Sequence, residues 1–230
     1  MFKRILLTIL VFYSLAALGE EFFSDGGYEG KMVWGKMVAT IPAPPQFVWE
    51  IYIDVNQWDK IGIARLIDSR LVNLKIVEQV KETDDVDDLY EALGPQVFSV
   101  EPLRRKGGEW RHLHFQFFNV PWPISNKWLV LDMKDIETRS ERGIYRAEWT
   151  LAAGNLESME GYIQFEPNQG DRKTTRLEYY VKVNPGSHVP KFLVRWAVNS
   201  AMPRTIQAIR RETVRRLTLS SGKHPSSSGS

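Results

Sequence analysis

The chain has 230 residues, of which 43% are hydrophobic, 12% aromatic and 25% charged. This composition is typical of a folded domain and excludes disordered, collagen-like and coiled-coil classes. Removal of residues 1–19 takes away Lys3 and Arg4 and leaves 28 basic and 28 acidic side chains. Such a balance argues against a nucleic-acid-binding protein, and the lack of cysteine excludes disulfides and thiolate metal sites.

The N-terminal segment has the pattern of a targeting signal. Two basic residues precede an apolar run over residues 5–18, and two glutamates follow it. As a helix this run spans about 21 Å, which is shorter than the roughly 30 Å hydrocarbon core of a bilayer. We therefore predict a cleaved signal peptide over residues 1–19 and a periplasmic or secreted location. The alternative is an uncleaved N-terminal membrane anchor.

The next part of the chain predicts a strand followed by two short helices. Residues 20–29 are rich in glycine and acid and predict a flexible leader. A strand over 31–41 ends at a proline cluster, since proline removes backbone donors from a sheet but suits a first helical turn. Apolar residues at helical spacing follow from Gln46, and a second short helix is expected around Trp58. Residues 71–80 have a strand-like composition.

The middle of the chain predicts an antiparallel sheet. Apolar and polar residues alternate with a period of two in five successive segments, and turn residues separate several of them. This pattern is typical of a sheet with one buried and one solvated face. The five segments are residues 112–117, 129–134, 145–151, 159–166 and 176–183.

The C-terminal part changes to helical periodicity. After the turn residues 184–186, apolar residues at helical spacing predict one long helix that begins near Pro190. Pro203 lies inside it, and because proline cannot donate a helical hydrogen bond we expect a kink near Met202. Residues 220–230 are rich in serine and glycine and predict a disordered tail.

Three segments resemble a known family or its wider superfamily, and they lie along the chain in the order that the family has. Residues 121–128 (Pro-Trp-Pro-Ile-Ser-Asn-Lys-Trp) resemble the Pro-Trp-Pro-Leu-Ser-Asp-Arg-Asp signature of START domains (steroidogenic acute regulatory protein-related lipid transfer). Residues 184–193 resemble the family's entry to its last helix, and residues 41–50 are similar to the first strand–helix junction of the wider Bet v 1-like, or SRPBCC, superfamily. The chain departs from the signature at residues 126–128, where the family has Asp-Arg-Asp.

The resemblance implies an α+β helix-grip fold over residues 30–219. In this fold a curved antiparallel sheet, with two short helices after strand 1, wraps around a long C-terminal helix and encloses a hydrophobic tunnel. The implied function is to bind a lipid or sterol-like molecule, without a cofactor, and to carry it between membranes of the cell envelope. A monomer is expected. The alternatives are a polyketide cyclase- or dehydratase-like enzyme and an interaction module with a filled core.

The expected ligand contacts are the bulky residues on the apolar face of the sheet and at the start of the last helix. A one-residue slip in any strand would invert its assignment. These predicted lining residues are Phe115, Phe117, Leu131, Met133, Tyr145, Trp149, Met159, Ile163, Tyr179, Val181, Phe192 and Trp196.

Basic residues are concentrated on the last helix. Between Lys191 and Arg216 there are seven basic residues and one acid, Glu212. One interpretation is a surface that docks on anionic lipid, at roughly 1 kcal/mol for each basic residue. The other is a solvated face that pairs with the acidic segment 78–91. The predicted docking residues are Lys191, Arg195, Arg204, Arg211 and Arg215.

Candidates for catalysis and metal binding are few. His112 and His114 share one strand face, but no third ligand is evident, so surface histidines and no metal site are expected. No catalytic or nucleotide-binding motif occurs in the sequence. Tyr145 and Tyr179 are the only candidates for an acid or base on the apolar face, and no catalytic residue is assigned.

Overall fold

The computed structural model describes residues 23–80, 91, 93, 108–118, 127–186 and 189–221. The predicted signal peptide, the segment 119–126 that carries most of the START-like signature, and the chain beyond residue 221 lie outside this part. The strands are β1 Phe23–Glu29, β2 Met32–Ile41, β3 Leu66–Val72, β4 Glu109–Phe118, β5 Lys127–Arg139, β6 Ile144–Gly154, β7 Ser158–Asn168 and β8 Asp171–Asn184. The helices are α1 Pro45–Tyr52, α2 Trp58–Ile61, α3 Leu74–Val80 and α4 Lys191–Ser221.

The eight strands form one curved antiparallel sheet in the order β1-β2-β8-β7-β6-β5-β4-β3. Strands β4 to β8 are neighbours both in sequence and in the sheet. Strand β2 instead pairs with β8, which joins an early segment of the chain to a late one. The predicted α+β helix-grip architecture, with α4 against the inner face of the sheet, is confirmed.

Two local predictions differ from the structure. The leader predicted over residues 20–29 contains β1, because the backbone of Phe23–Glu29 pairs with β2 along its whole length. Residues 71–80 are a strand only as far as Val72, and α3 begins at Leu74. Pairing with β4 ends at Val72, so the following residues turn across the outer face, where Val77 is buried. Tertiary packing has here overridden a strand-like composition.

One end of the inner face carries a cluster of aromatic rings in contact with each other. Trp49 of α1 is fully buried, and its ring stacks on Tyr145 at 5.7 Å and meets Phe165 edge-on at 5.8 Å. Such pairs contribute about 0.5–1.5 kcal/mol each beyond their burial. This aromatic cluster anchors α1 on strands β6 and β7.

The outer face of the same strands carries charged and aromatic side chains. Glu178 accepts hydrogen bonds from Lys36 at 2.8 Å and from the Tyr162 hydroxyl at 2.6 Å, and the Arg146 guanidinium lies 3.8 Å from the centre of the Tyr162 ring. Lys182 pairs with Glu29 of the edge strand at 3.0 Å. Glu178 and Lys182 therefore lie on the solvated face, as the alternation predicts.

Helix α4 packs mainly on β2 and on the turn Ile63–Arg65. The approach to β2 is closest at Gly35, where a Cβ atom would lie 2.7 Å from Val198 Cγ1 and 2.9 Å from Met202 Sδ. Real side-chain carbons do not come this close to other heavy atoms. Glycine at this position therefore sets how near the helix lies to β2.

Gly35→Ala is expected to destabilise the fold by about 1–3 kcal/mol, the usual cost of inserting a methyl group into a packed contact. Urea unfolding measures this free energy. Val198→Ala removes the nearest methyl groups, so Gly35→Ala should cost less in the Val198→Ala background than in the wild type. Equal costs in the two backgrounds would show that the contact with α4 is not the cause.

Candidate ligand-binding cavity

A cavity of about 180 Å³ lies between the inner face of the sheet and the first half of α4. It extends from Tyr52 and Trp58, near the aromatic cluster, to Val189 and Trp196, where it reaches the surface. Apolar side chains make up most of its wall. Its lining residues are Tyr52, Trp58, Ile63, Ala64, Gln116, Phe118, Leu129, Leu131, Met133, Trp149, Leu156, Met159, Tyr179, Val181, Val183, Pro185, Val189, Val194, Trp196, Ala197, Val198, Ser200, Ala201, Met202 and Thr205.

The structure brings seven of the twelve predicted lining residues to this cavity. They come from strands β5 to β8 and from α4, and the alternation places their side chains on one face. They are Leu131, Met133, Trp149, Met159, Tyr179, Val181 and Trp196.

Phe115 and Phe117 lie on the other face of the sheet. They are buried in a second apolar cluster with Val77 of α3 and with Trp128 and Val130. The side chains of β4 that point inward are the even-numbered ones, Gln116 and Phe118 among them. The sequence of β4 is apolar at adjacent positions near its end, so the alternation alone does not decide between the two faces.

Three further predicted residues lie outside the cavity wall. Tyr145 and Ile163 face inward but are buried in the main core, where Tyr145 stacks on Trp49. Phe192 lies near the start of α4 and is 66% exposed, and Trp196, one turn later, is 46% exposed. These two side chains form an apolar tip next to the opening of the cavity.

Titratable side chains are buried beside the closed end of the cavity. The side chains of His112 and Asp135 are each 1% exposed, with Nδ1 and Oδ2 3.5 Å apart. The Trp49 indole donates a hydrogen bond of 2.5 Å to Glu137. His114 lies 2.8 Å from the Ser69 hydroxyl and 3.1 Å from the Gln116 amide, which lines the cavity.

The expectation of surface histidines is therefore wrong. Burial lowers the pKa of His112 to about 4, and burial together with the neighbouring His112 lowers the pKa of His114 well below its usual value. Both imidazoles are neutral near pH 7, so the His112–Asp135 contact is not an ion pair there. Gln116 and Ser69 occupy hydrogen-bonding positions around His114, which explains how an imidazole is accommodated in the core.

The tyrosines of the cavity wall keep their protons. Burial raises the pKa of Tyr179 to about 12, and burial, with Tyr179 and Asp135 nearby, raises the pKa of Tyr52 well above its usual value. Their hydroxyl groups therefore act as neutral hydrogen-bonding groups. Within the described ranges no three His, Asp or Glu side chains come together as ligands for a metal ion.

The predicted docking residues do not form one surface. With 3.6 residues per turn, Arg204, Arg211 and Arg215 lie on one stripe of α4 and Arg195 lies on the opposite side, near the Tyr28 ring. Arg215 donates to Glu212 at 2.7 Å. The Lys191 side chain lies outside the described residues. Among the described helices, none combines the length and the apolar character that a membrane crossing requires.

The fold is similar to several solved structures. A fragment of the STAR-related lipid transfer protein from Xanthomonas axonopodis is 16% identical, with a TM-score of 0.59 over 85% of this chain and 94% of that one. The Zhui aromatase/cyclase from Streptomyces is 14% identical, with a TM-score of 0.51 over 81% and 96%. The human StAR-related lipid transfer protein 5 is 11% identical, with a TM-score of 0.50 over 94% and 97%.

No protein-family model matches the chain, and no curated protein matches it in sequence. The chain nevertheless has the START-like, Bet v 1-like fold, so the fold that the sequence resemblance implied is confirmed. At these identities the similarity establishes the architecture alone.

Acidification is expected to weaken the fold through the buried imidazoles. In the unfolded chain the pKa of His112 is about 6.5, whereas in the folded protein it is about 4. Between these values only the unfolded chain takes up the proton. Above pH 6.5 the free energy of unfolding therefore has its full value with respect to these histidines. It falls as the pH is lowered towards 4, by up to about 1.4 kcal/mol per pH unit for each imidazole.

Urea unfolding at pH 7, 6 and 5 measures this slope. His112→Gln should make the slope shallower. Glu212→Gln is the control, because arginine hydrogen bonds outweigh the burial of Glu212 and lower its pKa to about 2, so that its contribution changes only below about pH 4.5. An unchanged slope in His112→Gln would show that protonation of His112 does not cause the loss of stability.

Proposed function

We propose that this protein binds a lipid or another hydrophobic small molecule in the cavity and carries it between membranes of the cell envelope. The observation that supports binding most directly is the apolar cavity between the sheet and α4. An apolar cavity of about 150 Å³ can hold benzene. A cavity of about 180 Å³ therefore admits a small apolar molecule or part of a chain, whose remainder would extend through the opening at Trp196.

The free energy of moving an acyl chain between a bilayer, water and the cavity is compatible with a carrier. Exposing an acyl chain to water costs about 0.8 kcal/mol per CH₂ group, or on the order of 10 kcal/mol for a chain of 16 carbons. A bilayer and an apolar cavity both avoid this cost, so transfer between them can be close to balance. The described lining contains no ionised side chain, which fits binding better than acid–base catalysis.

The site of membrane contact proposed here is the apolar tip formed by Phe192 and Trp196. These exposed side chains lie beside the opening, and Arg195 between them in sequence can contact anionic headgroups. Docking at this tip would bring the opening to the bilayer surface. The location in the cell envelope rests on the predicted signal peptide over residues 1–19.

Native mass spectrometry of protein purified without delipidation tests ligand binding. The wild type is expected to carry a hydrophobic molecule that is released on denaturation. Val181→Phe fills part of the cavity and should abolish this adduct, whereas Val214→Phe, at an exposed position of α4, should retain it. An empty wild type, or an adduct that survives in Val181→Phe, would count against the cavity as the binding site.

Sedimentation with vesicles of phosphatidylglycerol and phosphatidylcholine tests docking. Arg195→Ala should weaken the partition onto anionic vesicles about fivefold, corresponding to about 1 kcal/mol, and added salt should weaken the wild type. Arg204→Ala, on the opposite side of α4, is the matched control and should have little effect. Equal losses in the two variants, or binding that ignores salt, would contradict docking at the tip.

A further inference from the structure

Gln116 of β4 is a polar side chain in the wall of the cavity. The residue is only 5% exposed, and its amide nitrogen lies 3.1 Å from His114 Nδ1. Its amide oxygen has no hydrogen-bond partner among the described residues and is not one of the polar atoms that are sealed off in the core. The Trp149 indole nitrogen, by contrast, is sealed off. The Gln116 oxygen is therefore a polar atom that a molecule in the cavity can reach.

The orientation of this amide follows from a chain of hydrogen bonds behind it. The Ser69 hydroxyl lies 2.5 Å from the Val55 carbonyl, and because a carbonyl can only accept, the hydroxyl donates there. The hydroxyl oxygen then accepts from His114 Nε2 at 2.8 Å, which places the proton of the neutral imidazole on Nε2. His114 Nδ1 is therefore an acceptor, and the group of Gln116 that faces it must be the NH₂ group.

The imidazole in this chain is also held by its neighbours. The Trp58 ring, which lines the cavity, meets the His114 ring edge-on with 4.7 Å between the ring centres. The Met133 sulfur lies 3.3 Å from Nδ1, but a thioether is a weak acceptor, so the Ser69 hydroxyl decides which nitrogen carries the proton. With its NH₂ group turned to His114, Gln116 presents its oxygen, which can only accept, to the cavity.

The other polar groups of the wall leave mainly acceptors for a ligand. The Trp58 indole already donates to the Tyr52 carbonyl at 2.6 Å. The hydroxyl groups of Ser200 and Thr205 each donate to a carbonyl of α4 at 3.0 Å, so their oxygens are left to accept. The hydroxyl groups of Tyr52 and Tyr179 can donate or accept and do not select between the two kinds of ligand. A ligand that carries a donor therefore fits this wall better than one that carries only an acceptor.

The wall also constrains the charge of that donor. The described lining contains no Asp or Glu. An ammonium group in the cavity would therefore lose its hydration without gaining a counter-charge. An uncharged hydroxyl group on an apolar body meets both conditions, because it donates one hydrogen bond and needs no counter-charge.

We propose that the ligand carries an uncharged hydrogen-bond donor, a hydroxyl group on an apolar body, and that Gln116 Oε1 accepts this hydrogen bond. This inference rests on the proposed function and specifies the chemical class of its ligand. Ser69 and His114 act as positioning residues, because they determine which end of the amide faces the cavity. Gln116 thus distinguishes an alcohol from an ether, a ketone or a hydrocarbon of similar shape.

Two probes of matched shape test the proposal, 2-naphthol with a hydroxyl donor and 2-methylnaphthalene with a methyl group in its place. Dissociation constants are measured by fluorescence for the wild type and for Gln116→Met, which removes the amide and keeps the length of the side chain. 2-Naphthol should bind about tenfold more weakly to the variant, and the methyl compound should change little. Because each probe is compared with itself, its own hydration cancels.

Tyr52→Phe and Tyr179→Phe separate the role of Gln116 from that of the tyrosines. Each variant removes one hydroxyl group from the wall and keeps the aromatic ring. Each should weaken the binding of 2-naphthol less than Gln116→Met does. If either variant weakens it as much or more, a tyrosine binds the hydroxyl of the ligand and the proposal is wrong.

Ser69→Ala tests the positioning chain at a residue outside the cavity wall. Its loss frees His114 to take the other tautomer and Gln116 to rotate, so 2-naphthol should bind about twofold more weakly if both amide orientations become equally populated. Thr175→Val is the matched control, because it removes a buried hydroxyl that donates to the Ala43 carbonyl at 2.6 Å elsewhere in the core. This control should affect neither probe. Equal losses in the two variants would overturn the positioning role of Ser69.

A measurement on the unmutated protein covers the case in which Gln116→Met does not fold. In ¹H–¹⁵N spectra the side-chain amide resonance of Gln116, assigned through its proximity to the His114 ring, should move further downfield with 2-naphthol than with 2-methylnaphthalene. Equal responses to both probes would overturn the hydrogen bond and leave the proposed function standing. If neither probe binds, the hydrophobic binding function itself is contradicted.

Discussion

The contact between α4 and β2 at Gly35 determines how the helix lies against the sheet and where a space is left between them. The helix lies close to β2 because residue 35 has no side chain, and it also contacts the turn Ile63–Arg65. Across strands β5 to β8 the sheet curves away, and large side chains on both surfaces enclose a space instead of filling it. The cavity is thus a consequence of where the helix makes its closest contact.

The two ends of the inner face serve different purposes. At one end, the Trp49 ring stacks on Tyr145 and meets Phe165 edge-on, and the polar groups His112 and Asp135 are buried on the same sheet. Such groups are costly to bury, which makes this end sensitive to protonation. At the other end, exposed apolar side chains surround an opening. Ring contacts of this kind stabilise the closed end. The other end lacks them and has exposed apolar side chains next to the cavity.

Much of this architecture could be predicted from the sequence. The period-two segments and the long C-terminal helix were sufficient for the fold class, because a sheet with one apolar face requires a covering layer. The assignment failed at β4, where Phe115 and Phe117 are as buried as inward residues but lie under α3. Local alternation cannot distinguish two faces that are both covered. The place of the Trp149 ring in the cavity wall depends on Gly161 of the neighbouring strand, and no pattern within one segment contains that relation.

The position of β1 has a consequence for an uncleaved N-terminus. The apolar run ends at Leu18 and the sheet begins at Phe23, so four residues separate them. At full extension this stretch of backbone spans at most about 18 Å. A form that kept the apolar run in a bilayer would hold the edge of the sheet against that same membrane and could exchange cargo only there. For the proposed carrier, travel between two membranes would therefore require proteolytic release of the predicted signal segment.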